Sequence, residues 1–349
     1  MTLRRLLDLR LRSHRLTAPA ATAADAAHHM LAVQSQDLLA GRWALGVRTK
    51  GSPTLSAVDA AFARGELVRA WTMRGTLHIV PARDLAWVLS VTADRQRQQA
   101  AARHRDLGID DEVMTTASRA LRPALREGGC SRSEAFALLE SAGIDPRNQR
   151  GIHLLFALTI AGEICQGPIE PNGAGVARDQ RFVLVEDWVR DATAPADPLA
   201  ELFVRYIDGH GPAGAADFAW WSGLTLGGAR EAAERARDRV REVEEGLFAA
   251  DAARRRSPGS ASAFALPAFD EYYISYADRT AVCAPEHLAA VGPGKNGMVR
   301  PTLIESGRVV GTWSHADAAR GTPPELFGDD HDPEAVGAAL DRFARFVAG

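Results

Sequence analysis

Cysteine and lysine are scarce in this chain of 349 residues, with three of the first and two of the second. Cys130, Cys165 and Cys283 stand far apart and form no CxxC pair, so neither a disulfide framework nor a zinc ribbon is indicated. No two histidines have the spacing of a metal-binding helix face, and the adjacent pair His28-His29 would splay apart on a helix. Metal catalysis is therefore not expected, nor is any cofactor. Long apolar runs are missing too: none approaches the ~20 residues of a membrane span. Met1-Thr2-Leu3-Arg4-Arg5-Leu6 has no apolar signal core, which points to a cytoplasmic address without membrane contact. Lysine occurs only at Lys50 and Lys295, so 39 of the 41 basic residues are arginine.

The charge that is present is unevenly placed. Residues 1–110 carry 16 Lys/Arg against 9 Asp/Glu, while the rest of the chain carries 25 against 35. A basic N-terminal third can face a polyanion even though the formal net charge is −3.

Apolar spacing predicts helices over residues 3–12 and 23–33, then, past a loop containing Gly41, over 52–63. Leu67–Trp71 and Leu77–Val80 read as two strands around Arg74-Gly75-Thr76, a hairpin signal, with a helix from Asp84 to Val91 following. Helices closed by a two-stranded hairpin are the winged-helix plan. The pattern recurs: helix Asp111–Arg126, a Ser131-x-x-Glu134 capping box, helix Arg150–Ala161, and strands Glu163–Gly167 and Arg181–Val185. A third, weaker copy runs from Leu199 through helices at 213–221 and 226–235 to a weak strand at 240–247. Arg254-Arg255-Arg256 and the following Ser/Pro/Gly residues read as a mobile loop. Strands at 264–266, 299–304 and 308–313 precede a closing helix with Asp332 as cap and Pro333 at its first position. The fold expected is α+β, mainly helical, with tandem winged-helix (helix-turn-helix) domains and a C-terminal β-rich element. The segments are 1–110, 111–190, 191–260 and 261–349. Gly292-Pro293-Gly294-Lys295-Asn296-Gly297 fits G-x-G-x-x-G but leads into a strand rather than a helix, so it is not a dinucleotide site.

Four stretches resemble the winged-helix DNA glycosylases typified by AlkZ and YcaQ: Ala32-Val33-Gln34-Ser35-Gln36-Asp37, Trp71-Thr72-Met73-Arg74-Gly75-Thr76-Leu77-His78, residues 217–224 (DFAWWSGL), and Phe269-Asp270-Glu271-Tyr272-Tyr273 with Asp278-Arg279. Gly297-Met298-Val299-Arg300-Pro301-Thr302 adds a fifth. The resemblance implies three winged-helix units curved around duplex DNA and a C-terminal β-element reaching the lesion. It also implies that the polar pair of a Q-x-Q or Q-x-D motif performs the chemistry, here Gln34 and Gln36. Ser35 departs from the apolar residue expected between them. Members with Q-x-Q are associated with resistance to DNA-alkylating natural products, so bulky adducts or crosslinks join simple N3- and N7-alkylpurines as expected substrates, in base excision repair or self-resistance.

Two amides suit only part of glycosidic hydrolysis. The sugar becomes oxocarbenium-like, and a carboxylate ordinarily activates water and offsets that charge. Gln cannot ionise. An alkylpurine that is already cationic departs neutral without protonation, so holding a water and presenting carbonyl dipoles is enough. On a helix, residues i and i+2 lie about 200° apart, so the pair can act together only if the chain leaves the helix near Val33. Asp37 reads as a cap or surface charge rather than a base. Arg42, Arg48 and Lys50 beside the motif, Arg74 and His78 on the hairpin, and Lys295 are the expected DNA contacts. Trp220-Trp221 reads as core, and the three tyrosines at 272, 273 and 276 as a strand divided between core and surface. Asp270, Glu271 and Asp278 read as buried structural carboxylates bonded to backbone and Arg279. No aromatic cage for a flipped base is evident. A monomer bound to damaged duplex and associated with the nucleoid is expected; the alternative is a non-catalytic winged-helix binder or regulator.

Overall fold

The computed structural model describes residues 1–173, 175–250, 263–316 and 322–349. The arginine-rich loop at 254–260 lies outside them. The fold is α+β and mainly helical, with small antiparallel sheets. It forms two compact units: Met1–Val58 together with Leu199–Gly349, and Asp59–Pro198. The first is thus built from both ends of the chain.

In the Asp59–Pro198 unit, helices Asp111–Arg126, Arg132–Ser141 and Arg150–Ile160 lead into the hairpin of Ile164–Ile169 and Gln180–Leu184. That is the winged-helix order. The helix starts are chemically fixed: Asp110 Oδ1 accepts the Val113 N–H at 2.9 Å, and Ser131 and Glu134 form a reciprocal capping box. Strands lie side by side in the order Thr76–Pro81, Leu67–Met73, Ile164–Ile169, Gln180–Leu184. Arg69 faces Gln166 where the two hairpins meet and donates to its Oε1 at 2.6 Å. Trp71, Leu121, Leu155, Ile164 and Phe182 share the core beneath. At the tip of the first hairpin Arg74 and Gly75 have φ of 53° and 68°, the two left-handed residues of a type I′ turn. Helix Leu85–Asp106 runs 22 residues, well past the expected end at Val91. Its second half, rich in Gln, Ala and Arg, lacks an apolar stripe but consists of good helix formers.

In the other unit, helices Leu3–Ser13, Ala23–Met30 and Leu38–Gly46 join Pro198–His210, Ala215–Ser222, Leu226–Arg235 and Pro333–Ala348. Strands Arg241–Glu244 and Leu247–Ala249 form a small hairpin after the third helix-turn-helix pattern. A four-stranded antiparallel sheet has the order Glu325–Leu326, Arg308–Thr312, Thr302–Glu305, Phe264–Leu266. Buried Trp43 ties helix to sheet, its Nε1 donating to the Ala265 carbonyl at 2.7 Å and its ring packing on Phe343 and Phe346. One turn on, a Cβ at Gly46 would stand 2.7 Å from the Phe346 ring, so the close approach needs glycine. Gly41, expected in a loop, is inside this helix, because the buried face it helps form outweighs its poor propensity.

The tyrosines correct another expectation. Residues Glu271–Ile274 are one helical turn, not a strand, and Tyr272, Tyr273 and Tyr276 are all buried. Their hydroxyls donate to the carbonyls of Gly307, Gly292 and His210 respectively, which is how phenols are accommodated in a core. Trp221 is buried as expected, whereas Trp220 is 45% exposed with the Arg279 guanidinium 5.0 Å above its ring.

Candidate active site

The Ala23–Met30 helix stops at Leu31, whose φ of 63° turns the chain out of the helix. Val33 and Gln34 are extended, Gln36 lies at a bend, and Asp37 caps the next helix by accepting the Ala40 N–H at 2.8 Å. The break that joint action of the two amides requires is therefore present, and Asp37 has the capping role read from its position. Gln34 is buried and Gln36 exposed. Ser35 is fully buried, and its hydroxyl faces the Asp37 carbonyl at 3.4 Å, so a polar side chain is tolerated between the glutamines.

The strand is anchored from the far end of the same unit. Glu271, fully buried, accepts the Gln34 backbone N–H on Oε1 at 2.7 Å. Its Oε2 accepts Trp221 Nε1 at 3.1 Å and Ser275 Oγ at 2.5 Å. Beside it Asp270 receives both guanidinium nitrogens of Arg48, at 2.8 and 2.7 Å, and caps its own helix through the Tyr272 N–H. The structural role read for Asp270 and Glu271 agrees with this geometry, but their partners are Arg48 and Gln34 rather than Arg279. Asp278, expected to be buried, is instead exposed, and it accepts the Thr280 N–H.

The helix preceding the strand is latched by His29. Its Nε2–H donates to the Ser13 carbonyl at 2.7 Å, and its Nδ1 accepts from Arg15 at 3.1 Å. Accepting from Arg15 needs the neutral ring, and burial first, then Arg15, holds the pKa down to about 4. His14, fully buried, is likewise held well below its ordinary value by burial and then by His210. In the unfolded chain both imidazoles take up a proton near pH 6.5, within about a unit. The unfolded state therefore binds more protons as pH falls, and the stabilisation, complete above about pH 6.5, is lost toward pH 4. Thermal melting between pH 7.5 and 5 should show a falling midpoint, with a shallower slope in His29→Gln; equal slopes would show that this latch does not control it.

The expected DNA contacts divide. Lys50 and Lys295 are exposed and Arg74 is half-buried at its hairpin tip. Arg42, Arg48 and His78 are fully buried, which corrects their assignment to phosphate contact. Arg48 is committed to Asp270, Arg42 Nε faces the Leu38 carbonyl, and His78 Nδ1 lies 3.1 Å from the Thr72 hydroxyl. Positive charge near a motif was the signal, and it does not distinguish a buried ion pair from a surface cation. A feature unseen in the sequence is a cavity of about 330 Å³ in the Asp59–Pro198 unit, lined by Trp71, Phe156, His153, Gln99 and Arg74. Among the described residues no cluster of three or more His, Cys, Asp or Glu is arranged to hold a metal ion, and no helix is long and apolar enough to cross a membrane.

Repeated helix pairs closed by hairpins, with a polar extended segment between two helices, define a protein of the winged-helix class. The chain belongs to the family of AlkZ-like DNA glycosylases, whose family model matches residues 27–346. It is thus a DNA glycosylase, an enzyme acting on DNA. It is similar to an interstrand DNA cross-link repair glycosylase of Streptomyces sahachiroi, with 24% identity over 318 residues, covering 85% of this chain and 83% of that protein. The solved structure of the Streptomyces sahachiroi DNA glycosylase AlkZ superposes with a TM-score of 0.78 at 22% identity, covering 99% of this chain and 96% of that one. That likeness establishes the fold.

Proposed function

We propose that this enzyme is a monofunctional glycosylase for purines made cationic by N3- or N7-alkylation, including bulky adducts and crosslinks, and that Gln34 and Gln36 are its catalytic pair. The observation that carries the reading is the break in the chain after Met30, which takes both glutamines out of the helix, Gln34 on a two-residue strand and Gln36 at the bend that follows, instead of leaving them on opposed helix faces. The C1′–N bond breaks with its electron pair leaving on the base, which becomes neutral. Water forms the new C1′–O bond and its proton passes to solvent. One amide carbonyl orients that water while the dipoles of both face the positive sugar. The relative's action on cross-links supports extending the substrate range to bulky adducts.

The same reading takes 1–110, 111–190 and 191–260 as three winged helices, with 261–349 as a β-rich element and closing helix. Lys50, Arg74 and Lys295 remain as phosphate contacts, on a monomer working at the nucleoid in the cytoplasm. The test compares leaving groups. Duplexes carrying N7-methylguanine or a bulky N7 adduct should lose the base, whereas duplexes carrying uracil or hypoxanthine, which are neutral, should be cleaved at least about 100-fold more slowly. Comparable excision of neutral and cationic bases would refute a mechanism without a proton donor.

A further inference from the structure

The cavity of about 330 Å³ in the Asp59–Pro198 unit has the volume of a small ligand site, and the chemistry assigned to Gln34 and Gln36 makes no use of it. Its walls come from separate parts of the sequence. Trp71 belongs to strand Leu67–Met73, Gln96 and Ala100 to helix Leu85–Asp106, and His153 and Phe156 to helix Arg150–Ile160. The Trp71 and Phe156 rings stand 5.9 Å apart at 76°, so a flat guest lying on one ring abuts the other. Phe156 packs against the core yet is only half-buried, which leaves part of its ring for such a guest.

Two polar atoms of these walls are buried without a hydrogen-bond partner among the described residues: Gln96 Oε1 and His153 Nδ1. Gln96 is 3% exposed, and its amide has one orientation because Nε2 donates to the Thr72 carbonyl at 2.8 Å. A guest that brings an N–H to Oε1 relieves the cost of burying an unsatisfied carbonyl. Burial, and then Arg103, lowers the His153 pKa, so its ring is neutral at neutral pH. Among the described residues lining the cavity, Arg74 at the hairpin tip is then the one that carries charge.

We propose that this cavity receives a nucleotide whose base is out of the stack, with the base against the Phe156 and Trp71 rings, an N–H of its edge on Gln96 Oε1, and its phosphate toward Arg74. Every nucleobase combines a flat ring with an N–H at its edge, and the attached phosphate suits a guanidinium. For an enzyme acting on DNA the source is a base extruded from the strand. A free nucleotide carries the same chemistry. The inference concerns a different unit from the one that holds Gln34 and Gln36 and does not depend on their role.

Binding of two bulged duplexes tests it. One carries a single unpaired deoxyadenosine; the tetrahydrofuran duplex keeps the same unpaired backbone without a base. The wild-type enzyme should prefer the deoxyadenosine bulge by at least about fivefold, the lower end of what one base–aromatic stack contributes. Ala100→Phe fills the cavity and should bring that ratio to within about twofold of one. Phe156→Leu keeps an apolar side chain but removes the ring, and should lower the ratio as well; thermal melting of both variants checks that each is folded. Preference that survives in both folded variants would place the base elsewhere and overturn the proposal. Calorimetry with deoxyadenosine monophosphate separates the sources. Equal binding of the two bulges, with the mononucleotide bound by wild type and not by Ala100→Phe, would assign the cavity to a free nucleotide. Equal binding of the bulges and no binding of millimolar mononucleotide would overturn the proposal without any variant.

Discussion

Replacing Gln36 with Ala is expected to slow single-turnover excision of N7-methylguanine about 100- to 1000-fold, the effect of deleting one preorganised dipole at a developing charge. Gln34→Ala should do the same. The two substitutions together should cost little more than either alone if one water is held by both carbonyls, because groups acting as a unit are not additive. Binding to the tetrahydrofuran duplex should change less than about threefold, since neither amide is assigned to phosphate. The measurement is rapid mixing with enzyme in excess. Rates within twofold of wild type for both variants would remove this segment from the chemistry. Gln36, exposed, should lose activity without loss of stability, whereas Gln34, buried, should also soften the fold slightly.

The second large effect concerns folding. Asp270→Ala leaves the Arg48 guanidinium buried without the carboxylate that receives both its nitrogens. Breaking a buried pair on one side typically costs about 3–5 kcal/mol, because the surviving charge stays out of water uncompensated. Urea melting should show that loss in the Met1–Val58 and Leu199–Gly349 unit. The double substitution Arg48→Met with Asp270→Leu should recover much of it, since a desolvated pair gains little over a well-packed apolar one. A single-variant loss below about 1 kcal/mol would mean that water reaches the pair.

Local rules made much of the fold legible in advance. The helix at Asp111–Arg126, the capping box at Ser131 and the hairpin about Arg74-Gly75 were readable because each is set by residues within a few positions of one another. The long helix Leu85–Asp106 and the turn at Glu271–Ile274 escape such rules, because apolar spacing is weak in the first and aromatic residues imitate a strand in the second. For the site, the Gln34–Gln36 pair was visible as a motif, but its anchor was not. Nothing in the first 58 residues announces that the Gln34 N–H needs an acceptor from residue 271. The same distance effect hid the fate of Arg48, since a guanidinium reads alike in sequence whether it meets Asp270 or water.

That anchor also sets when the enzyme can begin to work during its own synthesis. A ribosome that has released only the N-terminal helices has made both glutamines but not the carboxylate, indole and hydroxyl that lock their strand. With the proposed catalytic pair, competence arrives late, with the last third of the polypeptide, and a prematurely terminated product would carry the motif without the means to hold it still.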